Sequence, residues 1–127
     1  MKKVRGADYL DHMIEAVRSA CAYVEGMSKA AFLADKRTQQ AVIYNIAIIG
    51  EAVAQLIKDD AALPDRYPDV PWMSMKGMRN RLMHGYFTVD LDLVWETVTT
   101  SLPILAARLP EIKSDLLNSE SGRDSPE

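Results

Sequence analysis

Side chains suited to acid–base chemistry and anion binding are concentrated in the segment MRNRLMHGY, residues 78–86. Histidine exchanges a proton near neutral pH, so His84 is a candidate general acid or base. Arginine carries a fork of donors matched to a phosphate, so Arg79 is a candidate phosphate ligand. Asn80 could orient either group. Metal-free cleavage of RNA needs these functions: a base for the 2′-hydroxyl, charge stabilisation at the phosphate and an acid for the leaving oxygen.

The charge around this cluster is basic, although the chain of 127 residues has a formal net charge of −3. Residues 71–89 contain no aspartate or glutamate, while Lys76 and Arg81 add to the charge of Arg79. Because the protein as a whole has no field that attracts a polyanion, any nucleic-acid contact must come from such a local patch. Lys76 and Arg81 are therefore candidate RNA-binding residues.

The spacing predicts a helix over residues 72–85, ended by Gly85. At about 100° per residue, its core-facing stripe consists of Met75, Met78 and Leu82. The opposite, polar face carries Lys76, Asn80 and His84. Arg79 lies on the flank of the apolar stripe, roughly 140° from His84. One ideal helix does not aim both side chains at one point; the reach of arginine, a frayed last turn or a second subunit could close this gap.

The elements that position this helix are also predicted to be helical. Apolar residues at spacings of three and four predict an amphipathic helix from Asp8 to Gly26 and a long helix capped by Asp35. The long helix is apolar nearly all round, so we expect it to be central in a bundle, covered by a second subunit, or both. Its polar residues Asn45 and Glu51 could satisfy an interface or line a cleft.

A last long helix is predicted after Asp90, and its apolar stripe keeps its phase through Pro103, where we expect a kink and not a stop. We assign residues 1–116 to a single helical domain. The end of the chain, 117–127, is almost without apolar residues and is predicted to be disordered.

Cys21 is the only cysteine, which excludes an internal disulfide and a cysteine-built metal site. Its place on an apolar stripe favours a small core residue over a reactive thiol. We find no glycine-rich phosphate loop, no signal sequence and no apolar run near membrane-spanning length. We therefore expect a cytoplasmic protein that uses no metal or cofactor and contacts no membrane.

The motif R-N-x-x-x-H-x-Y, Arg79 to Tyr86, resembles the signature of the HepT-like toxin branch of the HEPN superfamily. The flanking segments YNIAIIGEA, YPDVPWMSMKGMRN and DLDLVWETV also resemble that branch, so the likeness covers most of residues 8–112. The resemblance implies an all-α, up-and-down bundle of four to five helices. It further implies a homodimer in which two copies of the motif face one active cleft.

The same resemblance implies a metal-independent endoribonuclease, often a toxin that cleaves tRNA or mRNA. Arg79 and His84 would be catalytic and Asn80 would support them. The usual partner is a minimal nucleotidyltransferase antitoxin, which transfers AMP to a motif tyrosine, here Tyr86. Some members carry a second tyrosine where this chain has Arg81, so Tyr86 is the only tyrosine in the motif.

Two other interpretations stay open at this point. HEPN domains also occur as non-catalytic nucleotide-binding or substrate-presenting partners of a nucleotidyltransferase. Alternatively, the chain is a helical dimer whose polar cluster only satisfies an interface. RNA cleavage separates the first interpretation from the ribonuclease; the second predicts that His84→Ala lowers dimer stability more than any activity.

Overall fold

The computed structural model describes the backbone of residues 6–84 and 89–124 and the side chains of 6–82 and 89–119. Its helices are α1 (Gly6–Val24), α2 (Lys29–Leu33), α3 (Lys36–Asp59), α4 (Leu63–Arg66), α5 (Trp72–His84), α6 (Leu91–Glu96) and α7 (Leu102–Asp124). A π-helical turn, Thr97–Ser101, joins α6 to α7. Within the two described ranges the chain forms no strand, and the predicted all-α bundle is confirmed.

The central helix of the bundle is α3, with α1 on one side of it and α5 on another, while α7 packs against α1. Its predicted stripe is buried and comprises Val42, Ile46, Ile49, Val53 and Leu56. By length and composition alone α3 could cross a membrane, contrary to the expectation from the sequence. Of this apolar span 44% is buried within the bundle, where α3 contacts α1 and α5. Asn45 is buried too, and its Nδ2 donates to the Ala41 carbonyl at 2.8 Å.

The ends of the helices follow local rules. The Asp35 carboxylate accepts from the Thr38 N–H at 3.1 Å and so caps α3, as predicted. The chain after α1 turns at Gly26, whose φ of 77° is the left-handed conformation that glycine adopts without strain. The predicted start of α1 at Asp8, which would have made this residue its N-cap, is wrong, because the described helix already includes Gly6 and Asp8 lies in its first turn. A carboxylate in that position is still favourable to the helix dipole.

The connection between α3 and α5 is anchored to α7. Trp72, the first residue of α5, donates its indole N–H to the Tyr67 carbonyl at 2.9 Å. The Tyr67 hydroxyl donates to Asp115 at 3.0 Å, and Arg108 Nε donates to Asp69 at 2.8 Å. Burial and the Asp115 carboxylate raise the pKa of Tyr67, whereas the guanidinium of Arg108 lowers the pKa of Asp69. These contacts fix where α5 begins.

The helix after Asp90 continues through Pro103, as predicted, and the proline is accommodated by the π turn. Leu102 N–H bonds to the Thr97 carbonyl, five residues back. In that pattern Pro103 would be the donor to the Val98 carbonyl, but proline has no N–H. The thiol of half-buried Cys21 lies at 3.9 Å from that oxygen and donates to it. Cys21 therefore serves as a partner for a carbonyl that the proline leaves open.

The far end of α7 departs from the sequence prediction. Helix continues to Asp124, past the expected boundary at residue 116, so an unstructured segment from 117 is not what the structure shows. Leu117 and the two residues after it are exposed. Extending an existing helix adds one hydrogen bond for each residue fixed, so these turns need no apolar face of their own.

Candidate active site

The helix that carries the predicted site, α5, lies directly on α3 at Gly50. A Cβ atom at Gly50 would lie 2.3 Å from Arg79 Cβ and 2.8 Å from the carbonyl oxygen of Met75. No side chain therefore separates the two helices at this crossing, and only glycine permits the approach. The crossing sets the position of Arg79 relative to α3 through the backbone.

The guanidinium of Arg79 joins the two helices. Its Nη1 donates to Glu51 Oε2 at 2.8 Å, with the arginine side chain 25% exposed and the glutamate side chain 53% exposed. The Nε–H of Arg79 is buried and has no partner among the described residues. An unpaired buried donor is unfavourable by about 1–3 kcal/mol. This arginine therefore lowers the stability of the fold, as is common for residues of functional sites.

The described side chains of α5 occupy the buried and exposed faces that the helical wheel predicts. Met78 and Leu82 are buried and Met75 is partly buried against the core, so the predicted stripe is confirmed. The candidate site residues on the solvent side are Asn80 and Arg81, both exposed, and Lys76, which is half-buried. Arg79 lies on the flank between these surfaces, as expected.

Two predicted site residues are not placed. His84 is the last residue of α5, and its side chain lies outside the described residues; Tyr86 lies outside them altogether. The geometry that joins Arg79 to His84 therefore stays a prediction.

Glu51, whose role could not be assigned from the sequence, is a member of the site. Besides Arg79, it accepts from Gln55 Nε2 at 3.2 Å through Oε1. Its signal in the sequence is a carboxylate within a long apolar helix, directly after the glycine at the crossing. Among the residues with described positions, no three His, Cys, Asp or Glu side chains form a group that could hold a metal ion. The described charges of the site suit a phosphate, which arginine binds with paired donors.

Comparison with known proteins now decides the family. The family described as "Ribonuclease HepT-like" matches residues 13–112, a range that contains α3, α5 and the motif arginine. The chain belongs to the HepT-like family. The predicted resemblance is thereby confirmed.

Named relatives of this HepT-like chain are similar over most of their length. A protein named "Probable ribonuclease HepT" from Thermococcus cleftensis is 36% identical over 106 residues, which cover 84% of this chain and 94% of that protein. A protein of Methanocaldococcus jannaschii named as a candidate RNase is 33% identical over 108 residues, which cover 85% and 87% of the two chains. No solved structure matches the HepT-like chain significantly. The family and these names support ribonuclease activity in general terms.

Proposed function

We propose that this HepT-like chain is a metal-independent endoribonuclease toxin with Arg79 and His84 as its catalytic residues. The observation that carries the proposal is the state of Arg79. Its alkyl stem is packed on Gly50, its head group is partly exposed, and its buried Nε–H has no partner among the described residues. An arginine held in this way is suited to binding a phosphate oxygen, and it lies in a chain whose relatives are named as ribonucleases.

The proposed reaction is an internal transfer at the RNA phosphate. His84 takes the proton of a 2′-hydroxyl, the 2′-oxygen bonds to the adjacent phosphorus, and the bond from phosphorus to the 5′-oxygen breaks. A proton returned by an imidazolium neutralises that leaving oxygen. Arg79 stabilises the negative charge that builds on the phosphate in the transition state. Asn80 orients these groups, and the exposed Arg81 and half-buried Lys76 bind neighbouring phosphates.

The active form in this proposal is a homodimer, in which two motifs face one cleft and the second His84 supplies the acid. An exposed face of α3 next to Arg79 favours this arrangement. Tyr44 is 68% exposed, and Ile48 and Glu51 follow at helical spacing on the same side. Tyr44→Arg is expected to yield monomers in light scattering. Ile104→Arg, a substitution at an equally exposed residue on α7 (68%), is the matched control and should leave the mass unchanged.

The proposed partner is a cytoplasmic minimal nucleotidyltransferase that acts as antitoxin by transferring AMP to Tyr86. An added phosphate and base beside the basic segment would repel RNA and occupy its site. Tyr86→Phe is then expected to keep its nuclease activity and to escape the antitoxin. Silencing of that variant by the antitoxin would show that another residue is modified.

The deciding experiment is cleavage of bulk tRNA by protein purified without antitoxin, in excess EDTA. His84→Ala and Arg79→Ala should be inactive, and products of the wild type should end in a 2′,3′-cyclic phosphate. His12→Ala is the comparison variant, because His12 is the only other histidine; it is exposed on α1 and lines a cavity with Glu51, so activity retained in His12→Ala would assign the proton transfer to His84. If the wild type leaves tRNA intact and carries no AMP by intact mass, a non-catalytic nucleotide-binding partner of a nucleotidyltransferase becomes the better interpretation.

A further inference from the structure

The ion pair between Glu51 and Arg79 joins the two helices that meet at Gly50. We propose that Glu51 is a positioning residue, which fixes the plane of the Arg79 guanidinium toward the phosphate that is cleaved. This proposal rests on the ribonuclease function proposed above, because Glu51 acts on the reaction only through Arg79. Glu51 does not itself have to contact RNA.

The hydrogen bonds of the guanidinium give the first argument. A guanidinium has five N–H donors in one plane, so a single well-made bond restricts the whole plane. On the inner side, Nε–H is buried without a partner among the described residues, so the packed interior does not orient the group. On the outer side, Nη1 donates to Glu51 Oε2 at 2.8 Å. That bond uses one donor, and the remaining donors can bind a phosphate oxygen.

The surroundings of Glu51 give the second argument. Its Oε1 accepts from Gln55 one turn further along α3, so the carboxylate is held from its own helix while Oε2 binds Arg79. The side chain is nevertheless 53% exposed, and an ion pair with such an exposed partner contributes little to stability. A role in stability alone is therefore a poor explanation for a charge in the middle of an apolar core helix, whereas a role in orienting Arg79 accounts for it.

The first test is the steady-state cleavage of an RNA by wild type, Glu51→Ala and Glu51→Gln. For Glu51→Ala we expect kcat to fall about 10- to 100-fold, because small displacements of a catalytic group have effects of that size. We expect KM to stay the same or to fall, because a negative charge beside the phosphate site is removed. Glu51→Gln keeps an acceptor oxygen at the same reach and should recover part of kcat. A residue that only stabilises the fold would lower the apparent kcat through the active fraction and leave KM unchanged, so a fall in KM separates the two roles.

The control for these variants is Asp11→Asn. Asp11 has the same exposure as Glu51, 53%, and pairs with Lys113 at 2.6 Å across α1 and α7. Loss of an equally exposed ion pair away from α5 should leave both kinetic constants unchanged. If Asp11→Asn and Glu51→Ala lower kcat equally, the effect is a general one of surface charge and the proposal is wrong.

The second test does not depend on activity. The ¹⁵N relaxation of the Arg79 Nε–Hε group reports how rigidly the guanidinium plane is held, and its order parameter should fall in Glu51→Ala but not in Asp11→Asn. An unchanged order parameter, or a kcat equal to that of the wild type, would overturn the proposal. If the wild type cuts no RNA, the catalytic role of Glu51 fails together with the proposed function. The relaxation data still show in that case whether Glu51 orders the guanidinium of Arg79.

Discussion

Replacing Arg79 by methionine is expected to stabilise the protein while abolishing its activity. The methionine side chain keeps the stem atoms that lie over Gly50 and removes the guanidinium. The removal eliminates the buried Nε–H, which has no partner in the described part of the chain and is then unfavourable by about 1–3 kcal/mol. It also removes the Glu51 ion pair, which is worth about 0.2–1 kcal/mol with so exposed a partner.

The difference between these two contributions predicts a gain in the free energy of unfolding of about 0–3 kcal/mol. For a domain of this size, 1 kcal/mol corresponds to about 3–5 °C in Tm, so the expected rise is at most about 15 °C. Glu51 is left without its partner in this variant, but its exposure lets water solvate the carboxylate.

The assay is urea unfolding followed by far-UV circular dichroism, at matched protein concentrations because the midpoint of an oligomer depends on concentration. Arg79→Ala is the control: it removes the stem as well and should unfold at lower urea than Arg79→Met. A midpoint for Arg79→Met clearly below that of the wild type would refute the argument, since it would mean that the guanidinium stabilises the fold more than its orphaned donor destabilises it. RNA cleavage, measured on the same samples, should be lost in both variants.

Three further predictions concern other parts of the structure. Gly50→Ala should destabilise the fold by about 1–3 kcal/mol through overpacking and reduce RNA cleavage, because the new Cβ meets the backbone of α5. Urea unfolding measures the stability and tRNA cleavage the activity, and unaltered values would contradict the described crossing of α3 and α5. The hydrogen bond from the Thr38 hydroxyl holds the pKa of Asp35 below its usual 3.8, so its stabilisation is present above that pH and is lost as the pH falls through the lowered value. Acid unfolding should show the difference between wild type and Asp35→Ala shrinking below pH 3.8. Burial raises the pKa of Cys21 above 9.0, so iodoacetamide should modify the folded protein more slowly than the urea-unfolded chain at pH 8, and equal rates would place the thiol in solvent.

Local features of the fold could be predicted from the sequence because their causes are local. The cap at Asp35, the buried stripe of α3 and the faces of α5 follow from residue type and spacing alone. The partnership of Glu51 with Arg79 could not be predicted, because the two residues are 28 positions apart in the chain and meet only where the backbones cross at Gly50. A glycine within an apolar helix has many explanations, and the sequence does not tell which helix lies against it.

The direct contact of α5 with α3 determines at which stage the side chain of Arg79 loses its conformational entropy. Fixing a long, flexible side chain such as arginine reduces its rotamer freedom by about 1.5–2 kcal/mol. Because the stem of Arg79 is packed on Gly50 and its head group is bonded to Glu51, this loss occurs during folding and not when a phosphate arrives. At 1.4 kcal/mol for each factor of ten, a substrate is thereby spared roughly a 10- to 30-fold weakening of its binding.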